Sequence, residues 1–103
     1  MTSVHIDREQ VGAETLLKVA GRLDTPNAKP FEASLMEVVS LTDGTIIVNL
    51  AGVDYVSSSG LRALLVAGKA MRTAKRKLAL QALQPQIREV FDISGFSTLF
   101  EIT

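Results

Sequence analysis

The spacing of hydrophobic residues changes repeatedly along this chain, between the two-residue repeat of a strand and the roughly 3.6-residue repeat of a helix. Leu17, Val19 and Leu23 alternate with Lys18 and Arg22, as the two faces of a strand do. Further along, helical spacing and strand-like runs follow one another until the end of the chain. The resulting order is strand, strand, helix, strand, helix, strand, helix, strand.

This order favours an α/β fold, because strands that alternate with helices pair in parallel through right-handed crossovers. Gly12 and Ala13 separate the first two strands and predict a hairpin, which makes the sheet mixed. Ile46, Ile47 and Val48 are consecutive and β-branched. Such a run indicates a central strand that is covered on at least part of both faces.

The first and third predicted helices carry signals at their ends. Pro26 and Pro30 confine the regular part of the first helix to the residues that follow them, because proline suits a first turn. The third helix begins near Pro85 and ends before Gly95, a residue type that is favoured just after a helix. Its buried residues are expected to be Ile87, Val90 and Phe91.

The second predicted helix opens with three serines and a glycine. Its expected buried stripe is Leu61, Leu64, Leu65, Gly68 and Met71. Further apolar residues lie outside that stripe, namely Ala63, Val66, Ala67 and Ala70. Two interpretations fit them. The helix is packed from two sides, or it presents a docking face beside the serines, with side chains small enough for close approach by a partner.

The serines, Ser57, Ser58 and Ser59, also have two interpretations. A serine oxygen caps a helix by accepting a hydrogen bond from a free backbone N–H, which stabilises the helix by about 1 kcal/mol. Alternatively, a serine here is a covalent switch, since a phosphate adds about −1.5 to −2 charges and three acceptor oxygens. A helix N-terminus favours an anion, so the fold would survive the modification while the surface changed sign. The residues themselves leave both interpretations open.

Residue content disfavours most binding and catalytic chemistry. Eleven basic and eleven acidic side chains cancel, so the electrostatic footprint of a non-specific nucleic-acid binder is missing. The absence of cysteine excludes disulfides and thiolate metal sites. The basic run from Arg72 to Lys77 has no aromatic residues within it and is expected to be a solvated helix end.

A serine nucleophile needs a base, and the one histidine, His5, belongs to the first strand. The serines also lack the flanking glycines of a nucleophile elbow, since Val56 stands two residues before Ser58. The aspartates are scattered singly, without the spacing of a metal-binding loop, and no phosphate-binding glycine loop occurs. We therefore expect a protein that is not an enzyme and uses no metal or cofactor.

Every apolar run falls far short of the roughly 20 residues that span a bilayer, and the first residues lack an apolar signal segment. We therefore expect a cytoplasmic protein without direct membrane insertion. The length suits one domain, residues 1–103.

Three motifs in this order resemble those of a known family. They are "GRLD" from Gly21 to Asp24, "SSSGLR" from Ser57 to Arg62, and "VFDISGF" from Val90 to Phe96. From about Val4 to Ile102 the chain resembles the STAS domain family, and within it the stand-alone anti-sigma factor antagonists of bacteria. The resemblance implies a single STAS-like domain, with a mixed sheet of four to five strands and helices packed largely on one side.

The resemblance also implies a mechanism of partner switching. The unmodified domain binds an anti-sigma factor that is a serine kinase of the GHKL type, which frees the sigma factor. The kinase then phosphorylates the domain, the complex dissociates, and a serine phosphatase resets the cycle. The family's phosphoacceptor lies two residues before the glycine of an Asp-Ser-Ser/Thr-Gly motif, and Ser58 stands at that position.

This chain departs from the family motif at one residue. Ser57 stands where the family usually has aspartate, which bears on recognition by the kinase and makes Ser57 an alternative acceptor. By resemblance, Asp24 lies near the same end of the sheet, although Asp24 and Thr25 are equally typical of a turn that enters a helix. The predicted partner-binding residues are Asp24, Ser57, Ser58, Ser59, Gly60, Arg62, Ala63 and Val66.

Two other functions compete with this one. A STAS-like accessory subunit of a membrane transporter would use the same helix surface for docking and would need no phosphorylation. A partner-switch regulator of a secretion system or another signalling complex would keep the mechanism and change the partner.

Overall fold

A computed structural model describes residues 4–103, with the exception of the Leu99 side chain. The chain forms, in order, β1 (His5–Val11), β2 (Glu14–Leu23), α1 (Thr25–Leu41), β3 (Ile46–Val56), α2 (Ser58–Thr73), β4 (Leu78–Gln81), α3 (Pro85–Ser94), a short 3₁₀ helix (Phe96–Leu99) and β5 (Glu101–Ile102). This order agrees with the one expected from the hydrophobic spacing.

The strands form one sheet in the order β1-β2-β3-β4-β5. The hairpin pairs β1 antiparallel to β2, whereas β2, β3, β4 and β5 pair in parallel. The prediction of a mixed sheet with up to five strands is therefore confirmed. The β-branched run that begins at Ile46 does lie on the central strand, β3.

The core lies against one face of the sheet. Along β2 and the first half of β3, buried side chains alternate with exposed or half-buried ones, whereas Leu78, Ala79 and Leu80 of β4 are all buried. The large buried side chains of the strands include Leu17, Val19, Leu23, Ile46, Val48, Leu50, Val53, Leu78 and Leu80. All three helices add side chains to the same cluster, for example Phe31, Leu64 and Phe91. The expected packing of helices on one side is therefore confirmed. On the opposite face Leu16 and Ile47 are half-buried.

Helix α1 begins earlier than its prolines predict, at Thr25, with Pro30 inside the helix. The Asp24 carboxylate caps the helix by accepting a hydrogen bond from the backbone N–H of Asn27 at 3.2 Å. Pro30 removes one intrahelical hydrogen bond near the start of the helix. The cap and the burial of neighbouring residues such as Phe31 outweigh that loss.

Helix α3 follows its prediction with one exception. Ile87 and Phe91 are buried, but Val90 is 39% exposed, so its expected burial is wrong. Consecutive helical residues point about 100° apart, and Phe91 takes the inward position, where its ring edge meets Phe100. Gly95 has a φ of 79°, the left-handed conformation expected just after a helix.

Helix α2 is rotated relative to its predicted stripe. Its buried residues are Gly60, Ala63, Leu64, Ala67, Gly68 and Met71. Leu61 and Leu65 of the expected stripe are only half-buried. The helix packs against α1 as well as over the sheet, and the small residues Ala63 and Ala67 allow both contacts. Packing from two sides therefore explains these two alanines.

The basic run after α2 differs from the expected solvated helix end. Arg76 is half-buried and donates hydrogen bonds to the carbonyl oxygens of Val39 at 2.8 Å and Gly44 at 2.9 Å, and to Thr42 Oγ1 at 2.8 Å. Arg76 thus connects the end of α1 with the start of β4, because a guanidinium carries five donors in a fixed geometry.

Candidate functional site

The serines and Asp24 meet at one end of the sheet, as the resemblance implies. Leu23 at the end of β2 pairs with Val56 at the end of β3, and α1 and α2 each begin one residue later, after the capping residues Asp24 and Ser57. The two helices therefore start side by side. The backbone N–H of Ser57 donates to the carbonyl oxygen of Leu23 at 2.8 Å, which joins the two starting points.

Ser57 is the N-cap of α2. Its hydroxyl oxygen accepts a hydrogen bond from the backbone N–H of Gly60 at 3.1 Å, and its hydroxyl donates to the carbonyl oxygen of Leu23 at 3.0 Å. Its extended backbone, with φ −79° and ψ 171°, is the usual conformation for a cap. Both functions of this hydroxyl are therefore occupied by contacts that hold the helix to the sheet.

Ser58 is the first residue of α2 and is exposed. Within residues 4–103 its hydroxyl makes no side-chain hydrogen bond, in contrast to that of Ser57. Ser58 also lies in the first turn, where the backbone N–H groups of a helix favour a negative charge. Of the two candidate acceptors, Ser58 has the accessible hydroxyl.

Ser59 is half-buried and faces a groove between the first turns of α1 and α2. Thr25 and Glu32 line the α1 side of this groove together with Lys29, and Arg62 lines the α2 side. Arg62 is exposed, and Val66, one turn further along, is half-buried.

Gly60 and Ala63 do not fit their predicted place in a partner-binding surface. Ala63 is 0% exposed, and Gly60 is also buried. A Cβ added to Gly60 would lie 2.5 Å from the carbonyl oxygen of Leu23 and 2.9 Å from its Cβ. The glycine is needed because the first turn of α2 touches the end of β2. We therefore correct this part of the prediction: both residues serve internal packing.

Asp24 is half-buried, and its two carboxylate oxygens have different neighbours. Oδ1 accepts the capping hydrogen bond from Asn27, and Oδ2 lies 3.8 Å from Nε of Arg22. The carboxylate is therefore held in place by α1 and β2, beside the N-terminus of α2.

Sequence reasoning missed Tyr55 and Arg22. These residues lie opposite each other on β3 and β2, and the Arg22 guanidinium carbon lies 4.3 Å from the centroid of the Tyr55 ring. Tyr55 is 42% exposed. Alternation alone would place Tyr55 on the same face as the buried Val53, two residues earlier. A register shift between Gly21 and Arg22 turns Tyr55 to the outer face instead, so the sequence carried no local signal for this pair.

No cluster of three or more metal-ligating side chains occurs within the described range 4–103. His5 lies on the edge strand β1, and its ring is 3.2 Å from the Asp7 carboxylate, so it belongs to another part of the surface. None of the helices in that range is long and apolar enough to cross a membrane.

Comparison with known proteins agrees with the fold and the motifs. A model of the STAS domain family matches residues 5–103. BtrV of Bordetella bronchiseptica, named as a candidate anti-sigma factor antagonist, is 38% identical over 82 residues, which cover 80% of this chain and 71% of that protein. An anti-sigma-B factor antagonist of Listeria monocytogenes is 32% identical over 85 residues, covering 82% of this chain and 74% of that protein.

Solved structures show the same fold. The anti-sigma factor antagonist SpoIIAA in its unphosphorylated form superposes with a TM-score of 0.78 at 20% identity, covering 96% of this chain and 88% of that one. The phosphorylated form of SpoIIAA, from Bacillus, gives a TM-score of 0.73 at 20% identity, covering 96% of this chain and 91% of that one. Together with the family match, the mixed sheet and the serine motif, these similarities establish that the chain belongs to the STAS domain family.

Proposed function

We propose that this protein is an anti-sigma factor antagonist that acts by partner switching. In its unmodified form it binds an anti-sigma factor, and phosphorylation of Ser58 releases that partner. The observation that carries the proposal is the exposed Ser58 hydroxyl at the first turn of α2, next to a Ser57 hydroxyl that already donates one hydrogen bond and accepts another. The protein is then a binding partner and a kinase substrate, not an enzyme.

The hydrogen bonds at Ser57 favour Ser58 as the acceptor. A phosphate on Ser57 would remove the proton that its hydroxyl donates to Leu23 and would bring negative oxygens close to that carbonyl. A phosphate on Ser58 would extend into solvent beside the N–H groups of the helix start. The fold therefore tolerates modification at Ser58 better than at Ser57.

The chemistry of the switch needs only a kinase and ATP. The anti-sigma factor, in this proposal a kinase of the GHKL type, transfers the γ-phosphoryl group of ATP to Oγ of Ser58. A bond forms between Oγ and phosphorus, the bond to the β-phosphate oxygen breaks, the hydroxyl proton is lost, and ADP leaves. A serine phosphatase hydrolyses the phosphoserine with water and restores the hydroxyl. Because the cycle consumes ATP, we assign it to the cytoplasm.

The phosphate weakens binding through its charge. It adds about −1.5 to −2 charges at the start of α2, and burying those charges at an interface carries a desolvation cost. The partner-binding surface in this proposal consists of the accessible predicted residues Asp24, Ser57, Ser58, Ser59, Arg62 and Val66. The relatives support the proposal by their names, and the solved structure of SpoIIAA in its phosphorylated form shows that this fold is compatible with phosphorylation in that protein.

The test is a phosphorylation assay with the candidate anti-sigma kinase of the same genome and ATP, read by intact mass and then by peptide mapping. One added phosphate on Ser58, with loss of the complex, supports the proposal. Label on Ser57 in a Ser58→Ala protein contradicts the assignment of the acceptor. Tight binding without any phosphate indicates a constitutive antagonist. If the protein neither binds the kinase nor is phosphorylated by it, that result favours the transporter subunit.

A further inference from the structure

Tyr55 is an exposed aromatic residue that contributes little to the core. Large hydrophobic side chains that are exposed in the described residues are Val11, Leu41, Tyr55, Val90 and Ile93. Of these, Tyr55 stands three positions before Ser58, whereas the others belong to the end of β1, the end of α1 and α3. Its place at the end of β3 makes it continuous with the proposed partner-binding surface.

Neighbouring elements hold the Tyr55 ring and its arginine in place. The Arg22 guanidinium stacks on the ring at 4.3 Å, and its Nε lies 3.8 Å from Oδ2 of Asp24. The side-chain amide of Asn27 donates to the carbonyl oxygen of Arg22 at 2.9 Å. The ring, the guanidinium and the carboxylate therefore form a row that β2, β3 and the start of α1 position together. We call Tyr55, Arg22 and Asp24 the Tyr55 row.

The composition of this row suits binding better than folding. A stacked cation on an exposed ring adds little to folding stability, because water competes for both groups. Tyrosine and arginine are, by contrast, among the residues that contribute most energy at protein interfaces. A ring already held by its neighbours also loses little conformational freedom when a partner covers it.

We propose that Tyr55 and Arg22 form the anchor of the surface that binds the anti-sigma factor. This inference rests on the proposed function and adds to it which part of the surface contributes most affinity. The partner is expected to supply an apolar pocket for the Tyr55 ring. It is also expected to supply a hydrogen-bond acceptor for Arg22, because only Nε of the guanidinium lies near Asp24 and a guanidinium carries five donors. The interface then extends from the start of α2 at Ser58 to the ends of β2 and β3, where Arg22 and Tyr55 lie opposite each other.

The proposal predicts a graded loss of affinity for the candidate anti-sigma factor, measured by isothermal titration calorimetry. Tyr55→Ala should weaken binding by about tenfold or more, as truncation of an aromatic anchor does. Tyr55→Phe keeps the ring and should stay within about threefold of the parent protein. Ile93→Ala is the matched control, because Ile93 is 79% exposed on α3, and its affinity should stay within about twofold.

A second variant separates loss of the anchor from loss of the fold. Arg22→Gln keeps the tyrosine and removes the stacked cation, and it should weaken binding by about threefold or more while thermal melting stays near that of the parent protein. If Tyr55→Ala melts at a lower temperature than the parent protein, the affinity of Arg22→Gln tests the anchor instead. Parent-like affinity in Tyr55→Ala, together with weak binding by Ser58→Asp, overturns the anchor and leaves the proposed function standing. A parent protein that binds no candidate partner overturns both.

Discussion

The carbonyl oxygen of Leu23 accepts two hydrogen bonds from Ser57, one from its backbone N–H at 2.8 Å and one from its hydroxyl at 3.0 Å. This pair joins the end of β2 to the start of α2. An aspartate, which is usual at this position in the family, accepts hydrogen bonds but cannot donate one when it is ionised. Serine therefore retains the capping role here and adds a contact to the strand.

Ser57→Ala should destabilise the protein. The variant loses both the cap to Gly60 and the bond to Leu23, and we expect the free energy of unfolding to fall by about 1–2 kcal/mol. Urea denaturation followed by circular dichroism measures this. Ser59→Ala is the control and should change stability by less than about 0.5 kcal/mol. If Ser59→Ala lost more stability than Ser57→Ala, the assignment of Ser57 as the helix cap would be wrong.

Substitutions of Ser58 should separate binding from switching. Ser58→Ala should bind the anti-sigma partner with about parent-like affinity and accept no phosphate, because alanine removes the acceptor hydroxyl without adding charge to the exposed position. Ser58→Asp should bind at least about tenfold more weakly, through charge at the interface. Calorimetric titration of both variants checks this. Equal affinities for the two would argue against a charge-based switch.

Gly60→Ala should disrupt the contact between α2 and β2. The new Cβ would lie 2.5 Å from a backbone carbonyl oxygen that cannot move without shifting β2. We expect a loss of about 2 kcal/mol or more in unfolding free energy, which exceeds the gain in helix propensity. Lys69→Ala, at an exposed position of the same helix, should stay within about 0.5 kcal/mol of the parent protein. A Gly60→Ala protein of parent-like stability would show that the contact is looser than the structure indicates.

Arg76→Met should destabilise the protein although Arg76 lies in a basic run. The substitution leaves the carbonyl oxygens of Val39 and Gly44 without the guanidinium, and we expect a loss of about 2–3 kcal/mol in unfolding free energy. Arg72→Met, at an exposed position, should change it by less than about 0.5 kcal/mol. Thermal melting of both variants distinguishes a structural arginine from a solvated one, and equal melting temperatures would contradict the role given to Arg76.

Local patterns were sufficient for the architecture. Alternation along β2, the β-branched run at Ile46 and the helical spacing between them predicted the order of elements and the mixed sheet, because burial on one face imposes a period on each element. The serine motif was equally local, and it identified the start of α2 as the candidate site. Gly95 was predicted for the same reason, since few other residues adopt its backbone conformation at low cost.

What only the tertiary structure decided are the contacts between elements distant in sequence. The buried face of α2 includes Ala63 and Ala67 because α1 packs beside this helix. The hydrophobic spacing within α2 alone does not indicate the position of α1. Likewise, Leu23 lies 34 residues before Ser57, and the pairing of β2 with β3 brings the two together. Which serine caps the helix, and which is left as the proposed phosphate acceptor, therefore depends on strand pairing. The stacking of Arg22 on Tyr55 arises from the same pairing of β2 with β3. A sequence encodes which groups can make hydrogen bonds and contacts, and the fold determines which partners they meet.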